Sequence, residues 1–136
     1  MNSNLEQLVR EMNPLQHDGE WVFCELAQGA AVPRQAIATF RESESMTVIV
    51  SAADATALSM TPRYNAAWIT LTVNSDLDAV GFLAVISRAL AAANISCNVF
   101  SAVHHDHLFV PYREGHRAVE VLRRLQMSPF DPQPIQ

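Results

Sequence analysis

Apolar residues recur at helical spacing near the start of the chain and in two stretches of its second half. Leu5, Leu8 and Met12 lie on one side of a helix predicted over residues 4–12, which ends because Asn13 precedes Pro14. Two further helices are predicted, one after Ser75 to about Ala93 and one over residues 114–125. Their inward faces comprise Ala79, Phe82, Leu83, Ile86, Leu90 and Ala93, and Ala118, Val121, Leu122 and Leu125.

Short runs rich in β-branched and aromatic residues lie between these segments. They predict strands over residues 21–26, 35–40, 46–50, 67–73, 96–103 and 108–110. Ser51, with Asp54 three positions later, predicts the N-cap of a short helix over residues 52–58. Arg41 and Glu42 are interpreted as a solvated turn. The polar, Pro-containing segment 61–65 is placed as a break between an N-terminal unit (1–62) and a C-terminal unit (63–136).

The order of elements in the second half is βαββα. One more strand, from the tail 128–136 or lent by the first half, would complete the βαββαβ arrangement of ferredoxin-like folds. The tail has three prolines and is expected to be extended. The predicted fold class is therefore α+β, with antiparallel sheets and helices on one face.

Composition excludes several classes of protein. Of the 136 residues, 49% are apolar and 17% charged, which favours a packed core over disorder. The net charge of −5 disfavours nucleic-acid binding, and no apolar run is long enough to span a membrane. Residues 1–12 lack the features of a signal peptide, so the cytoplasm is the expected location. Cys24 and Cys97 form no C-x-x-C pair and are expected to be free, buried thiols, with a structural disulfide as the alternative.

The first candidate site is the predicted turn before the helix that follows Ser75. Ser75 and Asp78 have the spacing of a capping box, and Gly81 would lie one turn inside that helix. A helix N-terminus attracts a carboxylate, whereas Asp76 and Asp78 would repel it but pair with an ammonium group. The alternative is that Ser75 and Asp78 only cap the helix.

The second candidate is the run His104, His105, Asp106 and His107, whose side chains are of metal-ligand type. Neighbouring residues of a strand point to opposite faces, so His104 and His105 would not reach one ion. We therefore expect no metal and interpret the run as a polar hairpin corner, with a ligand or interface contact as the alternative. No hydroxyl has an evident His and Asp partner set, so an enzyme is not predicted.

Several blocks in order resemble small bacterial proteins with two tandem ACT domains. They are residues 21–24, 40–43, 46–49, 70–81 (TLTVNSDLDAVG), 95–99 and 104–111. The second half also resembles the ACT regulatory domains of aspartate kinases. The resemblance implies tandem ferredoxin-like units that bind an amino acid effector at the strand-to-helix turn, without catalysis or a cofactor.

The same resemblance implies a homodimer and a set of ligand-binding residues, in which Asn98 lies on the strand that faces the effector. The set is Asn74, Ser75, Asp76, Leu77, Asp78, Gly81 and Asn98. Two alternatives stay open: an interaction module that binds another protein and no ligand, and a small enzyme or metal-binding protein that uses residues 104–107.

Overall fold

The computed structural model describes residues 4–130, in which helices and strands alternate along one chain. In order they are α1 (Leu5–Glu11), β1 (Pro14–Gln16), β2 (Trp21–Leu26), β3 (Ala38–Arg41), β4 (Met46–Ser51), α2 (Ala52–Ala57), β5 (Pro62–Leu71), α3 (Phe82–Ala92), β6 (Asn98–Ser101), β7 (Asp106–Pro111) and α4 (Gly115–Met127). A single 3₁₀ turn, Tyr112–Glu114, leads into α4. The α+β class and the antiparallel pairing agree with the prediction.

The seven strands within residues 4–130 belong to one antiparallel sheet that passes through both halves of the chain. Its order is β3-β4-β2-β5-β7-β6, and β1 pairs with β5 beside β2. The predicted bounds of β2 are confirmed, and β4 and α2 differ from theirs by one residue. The Ser51 cap is also confirmed, because its hydroxyl accepts a hydrogen bond of 3.0 Å from the Asp54 N–H.

The prediction that residues 61–65 interrupt the regular structure is wrong, since β5 runs through residues 62–65. Pro62 is the first residue of the strand. Sheets tolerate proline at this position although it has no backbone N–H to donate. Residues 62–66 pair with β2, with Phe23 opposite Tyr64. This long-range pairing outweighs the preference of the polar local sequence for a loop. At its other end the strand stops at Leu71, two residues before the predicted Val73.

Strand registers show that the two halves repeat one plan. In the first half, β2 and β3 flank β4 so that Met46 lies opposite both Leu26 and Arg41. In the second half, β5 and β6 flank β7 so that Asp106 lies opposite both Leu71 and Ser101. The equivalent positions are therefore Leu26 and Leu71, Arg41 and Ser101, and Met46 and Asp106. The loop 27–37 in the first half replaces α3 of the second.

The fourth strand of each repeat comes from a segment outside that repeat. The first uses residues 62–66 of β5, and the second uses β1, which pairs with residues 69–71. Of the two sources predicted for the completing strand, the one lent by the first half is thus confirmed. Most of the predicted extended tail lies outside the described residues. The helix α1 packs in the same core as α3 and α4. The division into two units at residue 62 stays a prediction.

The two faces of the sheet differ in their covering. The described helices pack on one face, over a large core in the second half and a smaller one around Val22, Val48 and Val50. On the other face, aromatic rings cover the strands, and Phe109 is only 1% exposed at their centre. No helix within residues 4–130 is long and apolar enough to cross a membrane.

Candidate functional site

The segment between β5 and α3 is a loop, and the predicted helix start at Ser75 is wrong. The helix begins at Phe82, with Gly81 as its N-cap residue in the left-handed region at a φ of 95°. The carboxylate of Asp76 accepts a hydrogen bond of 3.1 Å from the Asp78 N–H, and the Ala79 N–H donates to the Asp76 carbonyl. Asp76 thus stabilises a local turn, and this turn competes with the start of a helix at Ser75.

Ser75 makes a long-range contact instead of capping a helix. Its hydroxyl donates a 3.0 Å hydrogen bond to Oδ2 of Asp106, and its backbone N–H donates to the His104 carbonyl at 3.1 Å. Ser75 is 5% exposed and Asp106 is 6% exposed. Among residues 4–130, Ser75 is the one side chain that donates a hydrogen bond to this buried carboxylate. The two candidate sites predicted separately therefore meet at this pair.

A cavity of about 130 Å³ lies beside the Ser75–Asp106 pair, on the helix-covered face of the sheet. It is enclosed by the loop, the start of α3 and the hairpin between β6 and β7. The lining residues are Ser75, Asp76, Leu77, Ala79, Gly81, Phe82, Leu83, Ala84, Ser101 and Asp106. We call this space the C-terminal cavity.

The structure gathers some of the predicted ligand residues at this cavity and separates others. Ser75, Asp76, Leu77 and Gly81 line it, whereas Asn74 and Asp78 are exposed and outside its lining. Asn98 is exposed on the edge strand β6, where it lies opposite Phe109 on the aromatic face. Asn98 is therefore on the opposite side of the sheet from the cavity.

The lining of the cavity combines acidic residues with the first residues of α3. Asp76 and Asp106 line it, and no lysine or arginine of the described chain does so. The first N–H groups of a helix have no intrahelical acceptor, so those of Phe82, Leu83 and Ala84 are available at the start of α3. These two kinds of group complement a small zwitterion, because the carboxylates attract an ammonium group and the N–H groups attract a carboxylate.

The histidines of the second candidate are spread over the hairpin. His104 is exposed, and its ring centre lies 6.2 Å from that of His105, which in turn lies 6.4 Å from that of His107. His107 follows Asp106 along β7 and points to the aromatic face, as the alternation of a strand requires. No group of three metal-ligand side chains in residues 4–130 is close enough to hold an ion.

His107 belongs to a hydrogen-bonded chain that the sequence did not reveal. The Trp68 Nε1–H donates to His107 Nδ1 at 3.1 Å, and Thr70 Oγ1 lies 3.0 Å from the same nitrogen. His17 Nε2 lies 2.7 Å from Thr70 Oγ1, and its ring stacks on Trp68. Since an indole N–H can only donate, His107 Nδ1 is an acceptor and its proton is on Nε2.

The environment of these hydrogen-bonded side chains favours the neutral form of both imidazoles by lowering the pKa of each. Burial lowers the pKa of His107, and the nearby His105 and His17 lower it further against the opposite effect of Asp106. Burial also lowers the pKa of His17. Thr70 is only 7% exposed, so its hydroxyl is shielded from any substrate. These hydrogen bonds therefore stabilise the sheet, and the buried Thr70 hydroxyl is unsuited to nucleophilic catalysis.

The cysteines are both free, with Cys24 buried in the small core and Cys97 half-buried beside β6. Burial raises the pKa of Cys24 and raises that of Cys97 to about 11. Both thiols are therefore protonated at neutral pH and are poor nucleophiles or metal ligands.

Family models and solved structures agree on the nature of the two halves. One ACT-domain model matches residues 2–67 and a second matches residues 63–124. No curated protein matches the chain significantly. A Vibrio cholerae protein of unknown function, described as a possible transport protein, is 36% identical, with a TM-score of 0.76 over 87% of this chain and 92% of the other.

Two more distant structures share the fold. An Agrobacterium tumefaciens protein is 16% identical, with a TM-score of 0.60 over 79% of this chain and 84% of its own. The regulatory subunit of aspartate kinase from Thermus flavus is 7% identical, with a TM-score of 0.59 over 83% of this chain and 96% of that subunit. These two matches show a shared fold, while the ACT-domain models support a regulatory, ligand-binding role in general terms.

Proposed function

This chain belongs to the ACT-domain family as a tandem ACT protein, and from that premise we propose that it is a non-catalytic sensor of a small amino acid. The amino acid binds in the C-terminal cavity. Its ammonium group pairs with Asp106, and its carboxylate accepts hydrogen bonds from the N–H groups at the start of α3. Binding favours one packing of the protein over another and so carries a signal to a partner.

The observation that carries the proposal is the buried carboxylate of Asp106. A buried charge is costly unless it is paired, and the Ser75 hydroxyl is a neutral donor that compensates for it only in part. A ligand ammonium in the adjoining cavity completes the pairing. The cavity volume of about 130 Å³ is below the range of about 300–1,000 Å³ that drug-sized ligands occupy, so it favours one of the smaller amino acids.

Calorimetric titration tests this assignment directly. The twenty amino acids are first screened for those that raise the melting temperature, and the best of them is then titrated into wild-type protein, Asp106→Asn and Asp78→Asn. We expect Asp106→Asn to weaken binding about tenfold or more, since it removes the charge that pairs with the ammonium group. Asp78→Asn, which changes the net charge equally outside the cavity, should bind as wild type does.

Two results would contradict the proposal: that no amino acid binds at all, or that the folded Asp106→Asn variant binds as tightly as wild type. The second result would move the site elsewhere in the protein. Circular dichroism of each variant establishes that it is folded before the titrations are compared.

The proposed sensor acts as a homodimer in the cytoplasm. Two features support pairing: β3 and β6 are edge strands with unpaired backbone groups, and Leu77 and Val80 are 61% and 85% exposed beside the C-terminal cavity. A second protomer over the loop would bury these apolar side chains and could close the cavity.

Sedimentation equilibrium at micromolar concentration should therefore give a mass near twice the 15.0 kDa of one chain. A double substitution, Leu77→Ser with Val80→Ser, should shift the equilibrium toward the monomer. A wild-type protein that sediments only as the 15.0 kDa species would contradict the dimer.

A further inference from the structure

The repeat of the strand plan places a second cavity in the first half, at the position equivalent to the C-terminal cavity. It has a volume of about 620 Å³ and lies between the loop after β2 and the hairpin that joins β3 to β4. Gln28, Gly29, Ala30 and Val32 contribute from the loop, and Arg41, Glu42, Ser43 and Met46 contribute from the hairpin. We call this space the N-terminal cavity.

The loop is held over the hairpin by a side chain at the cavity. The Gln28 amide donates a hydrogen bond to the Ser43 carbonyl, fifteen residues along the chain. The hairpin turn is closed by the Glu42 N–H, which donates to the Ser45 carbonyl at 2.8 Å. The N-terminal cavity thus has two connected walls, each from a separate segment of the chain.

The charged side chains of this cavity differ from those of its counterpart, since Arg41 and Glu42 line it in place of Asp76 and Asp106. Met46 occupies the register position of Asp106, so the buried carboxylate is absent, and Arg41 occupies that of Ser101. Arg41 lies directly opposite Met46 and therefore on the same face of the sheet. A cation and an apolar side chain thus replace a hydroxyl and a carboxylate.

The carboxylates near Arg41 are engaged by other groups. Glu42 accepts a hydrogen bond from the Thr47 hydroxyl at 3.3 Å, and Glu44 accepts one from the Ser43 hydroxyl at 2.9 Å. Glu25 accepts from Ser45, which lowers the pKa of that carboxyl, and it also pairs with Arg63. Within residues 4–130 no carboxylate lies within ion-pair distance of the Arg41 guanidinium, which leaves its donors to an added anion.

From this geometry we infer that the N-terminal cavity is a second ligand site, selective for an organic carboxylate that carries an apolar group. The guanidinium of Arg41 binds the carboxylate, and Met46 and Val32 contact the apolar part. Val32 is 47% exposed in the free protein, so a ligand there removes apolar surface from water. This inference goes beyond the proposed function and does not depend on it.

The test compares two probes that share an isobutyl group and differ in charge, isovalerate and isobutylammonium. Each is titrated into the ¹⁵N-labelled full chain while backbone amide shifts are followed. Isovalerate should shift the amides of Gly29, Ala30 and Ser43 saturably, and isobutylammonium should not. Arg41→Gln should weaken isovalerate binding about tenfold or more, whereas Arg34→Gln, an exposed arginine outside the cavity lining, should change it less than twofold.

Any of three results would overturn the inference: no saturable shift around the cavity, equal binding of isobutylammonium there, or unchanged affinity in Arg41→Gln. Both arginines are exposed, so these variants retain the fold. Asp106→Asn should leave the isovalerate shifts unchanged. The second site and the amino acid site can therefore fail separately.

Discussion

Replacing Phe109 with alanine should lower the free energy of unfolding by about 3–5 kcal/mol. Phe109 is 1% exposed although it lies on the sheet face that carries no described helix. Its ring meets Phe23 and Phe100 edge-on at centroid distances of 5.3 and 6.0 Å, and it stacks near Trp68 at 6.3 Å. Alanine would leave a void at the centre of this aromatic layer. Urea denaturation followed by circular dichroism measures the change.

Phe40 provides a matched control on the same face. It lies opposite Thr47 on the edge strand β3 and is 61% exposed, so Phe40→Ala should change the free energy of unfolding by no more than about 0.5 kcal/mol. Equal losses in the two variants would show that the aromatic face contributes no packed core of its own.

The Gly81→Val substitution should destabilise the protein by about 1–3 kcal/mol and abolish amino acid binding. If Gly81 lay inside the helix, as the sequence suggested, the substitution would change the free energy of unfolding only slightly. In the structure, Gly81 has a φ of 95°, which a β-branched residue rarely adopts. An added Cβ would lie 3.5 Å from Cδ2 of Leu5, an ordinary contact, so backbone strain and not a clash is the cause. Relief of that strain would displace the start of α3 and its N–H groups from the cavity.

Gly81→Asn is the control for this prediction, because asparagine adopts the left-handed region more readily than other side chains do. Thermal melts and calorimetric titration should place Gly81→Asn between wild type and Gly81→Val in both stability and affinity. If the valine variant matches wild type in both, the loop conformation described for residues 75–81 does not govern the site.

Local sequence predicted the elements whose signals are complete within a few residues. The strand at Trp21–Leu26 and the cap at Ser51 are of this kind, and so is the end of α3, where Asn94 has a φ of 59°. The start of α3 was mispredicted because Ser75 and Asp78 have the spacing of a cap, but Ser75 is bound to Asp106, 31 residues away. No local pattern contains that contact.

The candidate site was predictable only in part, for the same reason. Ser75, Asp76 and Gly81 were identified from the turn, whereas Asp106 was assigned to a separate histidine-rich corner. Which of Asp106 and His107 faces the cavity depends on the register of β7 against β5, and a shift of one residue would exchange them. Register is set by pairing across the sheet, which a single sequence does not reveal.

The sharing of β5 makes the two halves thermodynamically inseparable. Residues 62–66 of β5 form the last strand of the first repeat, and residues 66–71 form the first strand of the second. The second repeat also needs β1, which comes from the start of the chain. Neither half retains a complete sheet when the other unfolds, so we expect the polypeptide to melt as one cooperative unit. A molecule that binds only the folded form of one half therefore stabilises both, by an amount that grows with its free concentration relative to its Kd.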